Sequence, residues 1–197
     1  MSEGLLVVIS GPSGAGKGAV CKELLADAAD LTYSVSATTR SRRPGEQDGV
    51  NYFFLSKDEF LRRVDEGEFL ESAYFCDNYY GTPRHFVEET LASGRSVILE
   101  IETQGARQIK RTFPRGVFIF LVPPSFDELA KRIAGRGTED HETQQARLAA
   151  ARDEVKQVSI YDYIVVNDVI ESAAEKIRAI ITAEKCRVQR NSDFHID

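Results

Sequence analysis

The sequence has no long apolar stretch. Its longest strongly apolar runs, Leu5–Ile9 and Val117–Val122, fall far short of the roughly 18–20 residues a membrane-spanning helix needs. Near the start, Glu3 precedes only a short apolar run, which does not read as a secretory signal. Cysteine is scarce: Cys21, Cys76 and Cys186 form an odd set with no C-x-x-C spacing. They read as reduced thiols, hence a cytoplasmic protein. Positive charge is not in excess either, with 25 Lys and Arg against 31 Asp and Glu and a net charge of −6. Such a chain has no general electrostatic means of coating nucleic acid. Neither nucleic acid nor a membrane is therefore expected as a partner. No repeat, low-complexity tract or long linker is visible, which excludes collagen-like and disordered classes.

What remains is a chain of 197 residues, 42% hydrophobic and 28% charged, close to the globular average. That length suits one domain, or one domain with insertions. Arginine outnumbers lysine by 17 to 8. The planar guanidinium grips phosphate or carboxylate in two places, although codon usage explains the bias equally well. Leu5–Ile9 predicts a strand covered on both faces, and a helix follows from about Lys17 to Ala29 with Val20, Leu24 and Ala28 facing inward. Buried-type strands recur at Ser96–Glu100, Phe118–Val122 and Tyr163–Val166. A last helix, from about Glu171 to Val188, carries Ile177 and Ile181 on one stripe. Strands alternating with helices predict an α/β fold with a central parallel sheet flanked by helices.

Two stretches break this rhythm and read as insertions on the sheet edge. Residues 35–85 are rich in Arg, Tyr and Gly, with strand patterns at Tyr52–Leu55 and Phe69–Phe75. A short helix at Lys57–Glu66 has Ser56 and Glu59 as its capping box and Gly67 as its stop. In residues 125–157, Ser125 and Glu128 cap a helix that ends at Gly135-Arg136-Gly137, and a charged helix follows from about Glu142 to Val158. The expected division is a core at 1–34, 86–124 and 158–197, interrupted by insertions at 35–85 and 125–157.

The strongest motif is Gly11-Pro12-Ser13-Gly14-Ala15-Gly16-Lys17-Gly18, which follows a strand and opens a helix. It matches G-x-x-x-x-G-K, most of the P-loop. Glycines let backbone N–H groups turn inward around an anion, and the helix N-terminus adds its positive dipole end. Lys17 reaches the outer phosphates of a nucleoside triphosphate. Where Ser or Thr usually ligates magnesium, the chain has Gly18 and then Ala19. Mg²⁺ would then be held by phosphate oxygens, water and a carboxylate, for which Glu100 at the end of Val97-Ile98-Leu99 is the candidate. A strand-end carboxylate facing solvent is the ordinary alternative.

A P-loop alone does not separate kinases, motors and switches. The ordered series S-A-T-T-R-S-R-R-P-G-E, N-Y-F-F, E-F-L-E, N-Y-Y-G-T, I-L-E-I-E-T-Q-G, G-R-G-T-E and Y-I-V-V-N-D does. Together with the P-loop it resembles the guanylate kinases, from about residue 5 to residue 168. The resemblance implies a P-loop core with a mixed α+β GMP-binding insertion at 35–85 and a helical lid at 125–157. It implies Mg²⁺-dependent transfer of the γ-phosphoryl group of ATP to GMP, the two nucleotides being the partners. Oligomeric state is not readable.

The resemblance places ATP on Gly11, Pro12, Ser13, Gly14, Ala15, Gly16, Lys17 and Gly18, with Arg136 over the phosphates and Asn167 on the adenine side. It places the GMP phosphate on Arg40, Arg43, Tyr52 and Tyr80, where two guanidinium forks and two phenols suit a dianion. It places guanine on Ser36, Glu71, Thr82 and Glu102. A carboxylate accepts from guanine N1–H and its 2-amino group but repels the N1 acceptor of adenine. Lys17, Arg40, Arg43, Arg136 and Arg147 are the expected catalytic cations. Read singly, each has an ordinary alternative. Thr82 before Pro83 is equally an N-cap, Tyr80 a strand aromatic, Arg40 and Arg43 surface partners of Glu46 or Asp48, and Asn167 a turn residue. Glu at both 100 and 102, where the family often has Asp, adds about one bond length, ~1.5 Å, of reach at each. Three other readings compete: a peptide-binding module of the same fold, a P-loop kinase for another acceptor, and a GTPase switch. The last would want N-K-x-D where the chain has Asn167-Asp168-Val169.

Overall fold

Leu6–Ser10 is apolar up to its last residue, and as β1 it becomes the fully buried centre of a sheet. The structure, a computed structural model, describes residues 4–26, 28–75, 77–134 and 141–191. β1 pairs in parallel with Ser96–Glu100 (β7) on one side and Val117–Val122 (β8) on the other. Leu31–Tyr33 (β2) flanks β7, and Tyr163–Val166 (β9) flanks β8, giving the order β2-β7-β1-β8-β9, all parallel. Alternation along β1 splits the core between two faces. Val7 and Ile9 pack with Val20 and Leu24 of α1 (Lys17–Ala26) and with Ala173, Ile177 and Ile181 of α7 (Ile170–Lys185). Leu6 and Val8 pack with Val87 and Leu91 of α3 (Arg84–Ala92) and with Ala106 and Ile109 of α4 (Thr103–Thr112). Both faces are covered, which is why these strands read as continuous apolar runs.

A second sheet stands beside the first. Ala37–Thr38 (β3) pairs in parallel with Phe53–Phe54 (β4) and antiparallel with Asn78–Pro83 (β6), which pairs antiparallel with Phe69–Phe75 (β5). Its core is small and aromatic. Phe60 of α2 (Lys57–Asp65) stacks on Phe69 at 4.7 Å between centroids and packs against Tyr79. The Ser56 hydroxyl caps α2 by accepting from the Glu59 N–H at 3.2 Å, and Gly67 past its end has φ 71°, the left-handed conformation that a helix stop favours.

A third unit is the pair α5 (Phe126–Ala134) and α6 (His141–Val155), joined by Leu129, Ile133, Leu148 and Ala151. Ser125 caps α5 through the Glu128 N–H at 3.1 Å. The segment holding Gly135, Arg136 and Gly137 lies outside the described residues. The α/β architecture around a parallel sheet is the observed one. β2, β3 and β6 have no counterpart in the sequence reading. The first two span only two or three residues, and β6 contains Gly81 and Pro83, which mimic a turn. α6 stops at Val155 and α7 at Lys185, each short of the patterned length and followed by a 3₁₀ turn.

Candidate active site

The loop after β1 is shaped by what surrounds it. A Cβ at Gly11 would lie 2.0 Å from the Leu121 carbonyl oxygen, and one at Gly16, where φ is 87°, would lie 2.5 Å from Asn167 Nδ2. Only glycine fits either place. Asn167 is 2% exposed, and its Nδ2 donates to the Ala15 carbonyl at 2.7 Å. It therefore braces the loop from beneath. Arg132 of α5 donates to the Asn167 carbonyl and pairs with Glu128 at 2.9 Å. Lys17 is buried, donates to the Gly11 carbonyl at 2.6 Å and lies 3.6 Å from Glu102 Oε1. Burial pulls its ammonium pKa down, but Glu102, Glu100 and Glu154 outweigh that and hold it above the ordinary value.

Glu100 ends β7 opposite Ile9, where the parallel register brings it beside the loop. It accepts from the Tyr33 hydroxyl at 3.1 Å. Its two carboxylate oxygens face Gly18, 3.6 and 3.8 Å from where a Cβ would stand. Burial raises the Glu100 pKa, and Lys17 and Tyr33 only partly oppose this. Glu102 caps α4 without a side-chain hydrogen bond to the helix, leaving Oε2 buried with no partner.

The second sheet supplies the other half of the site. The β5–β6 register sets Glu71 opposite Thr82, and the Thr82 hydroxyl donates to Glu71 Oε1 at 2.7 Å. Thr82 is thus a strand residue aimed at a carboxylate, while Pro83 holds the N-cap position of α3. Burial pushes the Glu71 pKa up to about 7 against the pull of Thr82. A residue absent from the sequence expectations shapes this pocket: a Cβ at Gly105 would lie 2.3 Å from Glu71 Oε2. Its only trace in the sequence is the glycine of T-Q-G. Arg40 pairs with Glu46 Oε1 at 2.7 Å and lies 5.4 Å from the Tyr52 ring centroid. The Tyr52 and Tyr80 rings meet edge to face at 6.2 Å. Burial pushes the Tyr52 pKa up to about 12, so its phenol is kept as a donor. Glu46 also accepts from the Arg43 backbone N–H at 2.8 Å. The pairing with Glu46 and a place at the site therefore hold together for Arg40.

One cavity of about 540 Å³ joins these parts. Pro12, Ser13, Gly14, Gly16, Lys17 and Gly18 of the loop line it, as do Ser36, Arg40, Arg43, Tyr52, Glu71 and Tyr80 of the second unit, Glu100 and Glu102 between them, and Arg147 of α6. Gly11, Ala15, Thr82 and Asn167 support the wall from behind. Arg147 Nη1 donates to the Ser13 hydroxyl at 3.4 Å. Arg136 lies outside the described residues. The cavity has a lysine-and-amide anion cradle at one end and arginines with phenols at the other. Glu71, also on its wall, is a buried carboxylate hydrogen-bonded to the neutral Thr82. That arrangement can hold two phosphorylated ligands end to end.

Comparison with known proteins decides the family. The guanylate kinase family model matches residues 3–184. The chain belongs to the guanylate kinase family. It is an enzyme of the nucleotide kinase class. The guanylate kinase of Desulfitobacterium hafniense (strain Y51) is 57% identical over 189 residues, covering 96% of this chain and 94% of that one. The guanylate kinase of Clostridioides difficile (strain 630) is 50% identical over 197 residues, covering 100% and 96%. Among solved structures, the guanylate kinase of Anaplasma phagocytophilum superposes with a TM-score of 0.81 at 35% identity, covering 96% of this chain and 90% of that one. Identity of 50–57% with guanylate kinases over nearly the whole of both chains goes against the peptide-binding module of the same fold, and against a kinase for another acceptor and a GTPase switch.

Proposed function

We propose that the chain transfers the γ-phosphoryl group of ATP to GMP and that the single cavity described above is where it happens. The observation that carries this reading is the continuity of the cavity from Lys17 to Glu71. ATP lies with its phosphates on residues 11–18 and Lys17. Asn167 acts from below by holding the Ala15 carbonyl. GMP lies against the second sheet. Its phosphate faces Arg40, Arg43, Tyr52 and Tyr80, and its base faces Glu71, Thr82, Ser36 and Glu102. The guanine N1–H and 2-amino donors neutralise the buried Glu71 carboxylate, whereas adenine would leave it unpaired. That difference is the source of selectivity.

Transfer needs no protein base, because a GMP phosphate oxygen is already ionised. The enzyme's contribution is alignment of that oxygen with the γ-phosphorus and stabilisation of spreading charge by Lys17, Arg40, Arg43 and Arg147, with Arg136 as a further cation. The unit at 125–157 is the lid and the one at 35–85 the GMP-binding unit. Their closure excludes water and so protects ATP from hydrolysis.

The donor set suits Mg²⁺ carried in with ATP. Glu100 points both oxygens at Gly18, beside the loop. Mg²⁺ keeps several waters and needs only one or two protein carboxylates. Glu100 would hold it, with water filling the place of the missing hydroxyl at 18–19. When bound, the ion would offset the negative charge of the phosphates. We place the reaction in the cytoplasm and in GMP recycling within purine metabolism. No helix among the described residues is long and apolar enough to cross a membrane.

The test is a nucleoside diphosphate assay with ATP and Mg²⁺ over GMP, dGMP, AMP, UMP, CMP and dTMP. GDP formation with strong preference over the other ribonucleotides is expected. Binding of GMP without phosphorylation of any acceptor would overturn the proposal.

A further inference from the structure

The reaction as described makes no use of one buried carboxylate. Glu154 lies on α6, seven residues after Arg147 and so two turns along the same helix face. It is only 7% exposed. Its carboxylate faces Glu102 and lies near the Ser13 backbone N–H, with Lys17 as the neighbouring cation. Glu154 Oε2 and Glu102 Oε2 are both buried with no hydrogen-bond partner.

A carboxylate at this depth is ordinarily surrounded by close donors. Glu184 shows the usual solution in this same molecule. It is equally buried, but it receives the Tyr163 hydroxyl at 2.6 Å and the guanidinium groups of Arg187 and Arg190. Glu154 has no such set: near it are a loop amide, a lysine shared with two other carboxylates and the carboxyl of Glu102, and burial with that neighbouring acid pushes its pKa up to about 7. Its placement is not dictated by its own energetics. It follows from α6 being fixed on α5 through Leu148 and Ala151.

The groups near Glu154 are those that a P-loop turns toward phosphate: a loop amide and the loop lysine. A triphosphate brings several negative charges to the same donors. We propose that Glu154 is a positioning residue of the lid, a carboxylate buried where α6 lies on the P-loop, as the Arg147–Ser13 contact places that helix, and that the triphosphate displaces it. Arg147, on the same helix face, stays beside Ser13 and passes from the loop hydroxyl to the incoming phosphates. Binding of ATP thereby reorients the lid by electrostatic exchange. The inference rests on the reading that this loop binds ATP.

The experiment is calorimetric titration at pH 8, without GMP, of wild type, Glu154→Gln, Glu154→Ala and Lys17→Ala. The probes are ATP and inorganic tripolyphosphate. Removing one like charge from the cradle is expected to tighten both by roughly five- to tenfold in both Glu154 variants. In the transfer assay KM for ATP falls while kcat does not rise, a split that simple loss of helix packing would not give. Melting curves confirm that each variant is folded, and Glu154→Ala decides the matter if the glutamine amide finds new partners. Unchanged or weaker tripolyphosphate binding by the folded variants overturns the proposal. Lys17→Ala separates the two readings. If it weakens ATP binding while the Glu154 variants leave it unchanged, only the role of Glu154 falls. If it leaves ATP binding intact, the P-loop assignment itself falls.

Discussion

Replacing Glu71 by glutamine removes one charge and keeps nearly the same shape, so it separates what the carboxylate does for the base from what it does to the fold. Glu71 is buried, its partner is the neutral Thr82, and burial pushes its pKa from 4.5 to about 7. Below pH 4.5 the folded and unfolded chains both hold the proton, and the group is neutral in each. As pH rises, the unfolded chain ionises first, and stability is lost until the folded group ionises near 7. At about 1.4 kcal/mol per pH unit the whole loss is about 3 kcal/mol, and the part between pH 5.5 and 7 is about 2 kcal/mol. Glu71→Gln has no such loss. Its melting temperature relative to wild type should therefore be higher at pH 8.5 than at pH 5.5 by roughly 4–8 °C for a chain of this size. Glu154 titrates in the same range, but it does so in both proteins and cancels in the difference. The same substitution should lower kcat/KM for GMP at least a hundredfold, since two hydrogen bonds to a charged acceptor, each worth about 1.5–3 kcal/mol, are weakened or reversed. Scanning calorimetry at the two pH values, with the nucleotide panel alongside, tests both parts. A melting difference that ignores pH would refute the burial argument, and unchanged discrimination between GMP and AMP would refute the role in reading the base.

Other substitutions report on separate parts of the site. Lys17→Ala should abolish transfer and leave the circular dichroism spectrum intact; substantial turnover by that variant would remove the lysine from the chemistry. Gly105→Ala drives a methyl group to 2.3 Å from Glu71 Oε2, so KM for GMP should rise at least tenfold, from ~1–3 kcal/mol of overpacking, with KM for ATP nearly unchanged. Equal effects on both nucleotides would show that the pocket wall lies elsewhere. Ile177→Ala hollows the face between α1, α7 and the sheet and should cost about 2–5 kcal/mol by urea unfolding, with kcat retained in the protein that remains folded.

The readable parts of the fold were those with a strong local signature. β5, β7 and β9 begin and end where the apolar patterns place them, and the Ser56 and Ser125 caps make the hydrogen bonds their spacing implies. β3 could not be found this way, because two residues carry no periodicity and its pairing depends on β4 and β6 arriving from elsewhere. The site divides in the same manner. The P-loop is local, and its glycines announce themselves. Gly105 and Glu154 matter only through what the fold brings against them. Glu154 reads as one more acid on a charged helix until α6 is laid on the loop. Arg40 illustrates a different limit: its surface partner and its place in the cavity are compatible, and spacing alone offers them as rivals.

The start of α4 serves two masters. Glu102, its N-cap, faces Lys17 at the phosphate end of the cavity, and three residues later Gly105 leaves the room that Glu71 occupies at the base end. A single turn of helix therefore couples the choice of nucleobase to the machinery that handles phosphate. Attempts to re-engineer the enzyme for another acceptor would meet pleiotropy at this turn. A change that shifts the helix to make room for a different base would also move the carboxylate beside the lysine. Altered specificity would have to be sought from the β6 side of the pocket, where Thr82 can change without dragging that lysine's neighbour with it.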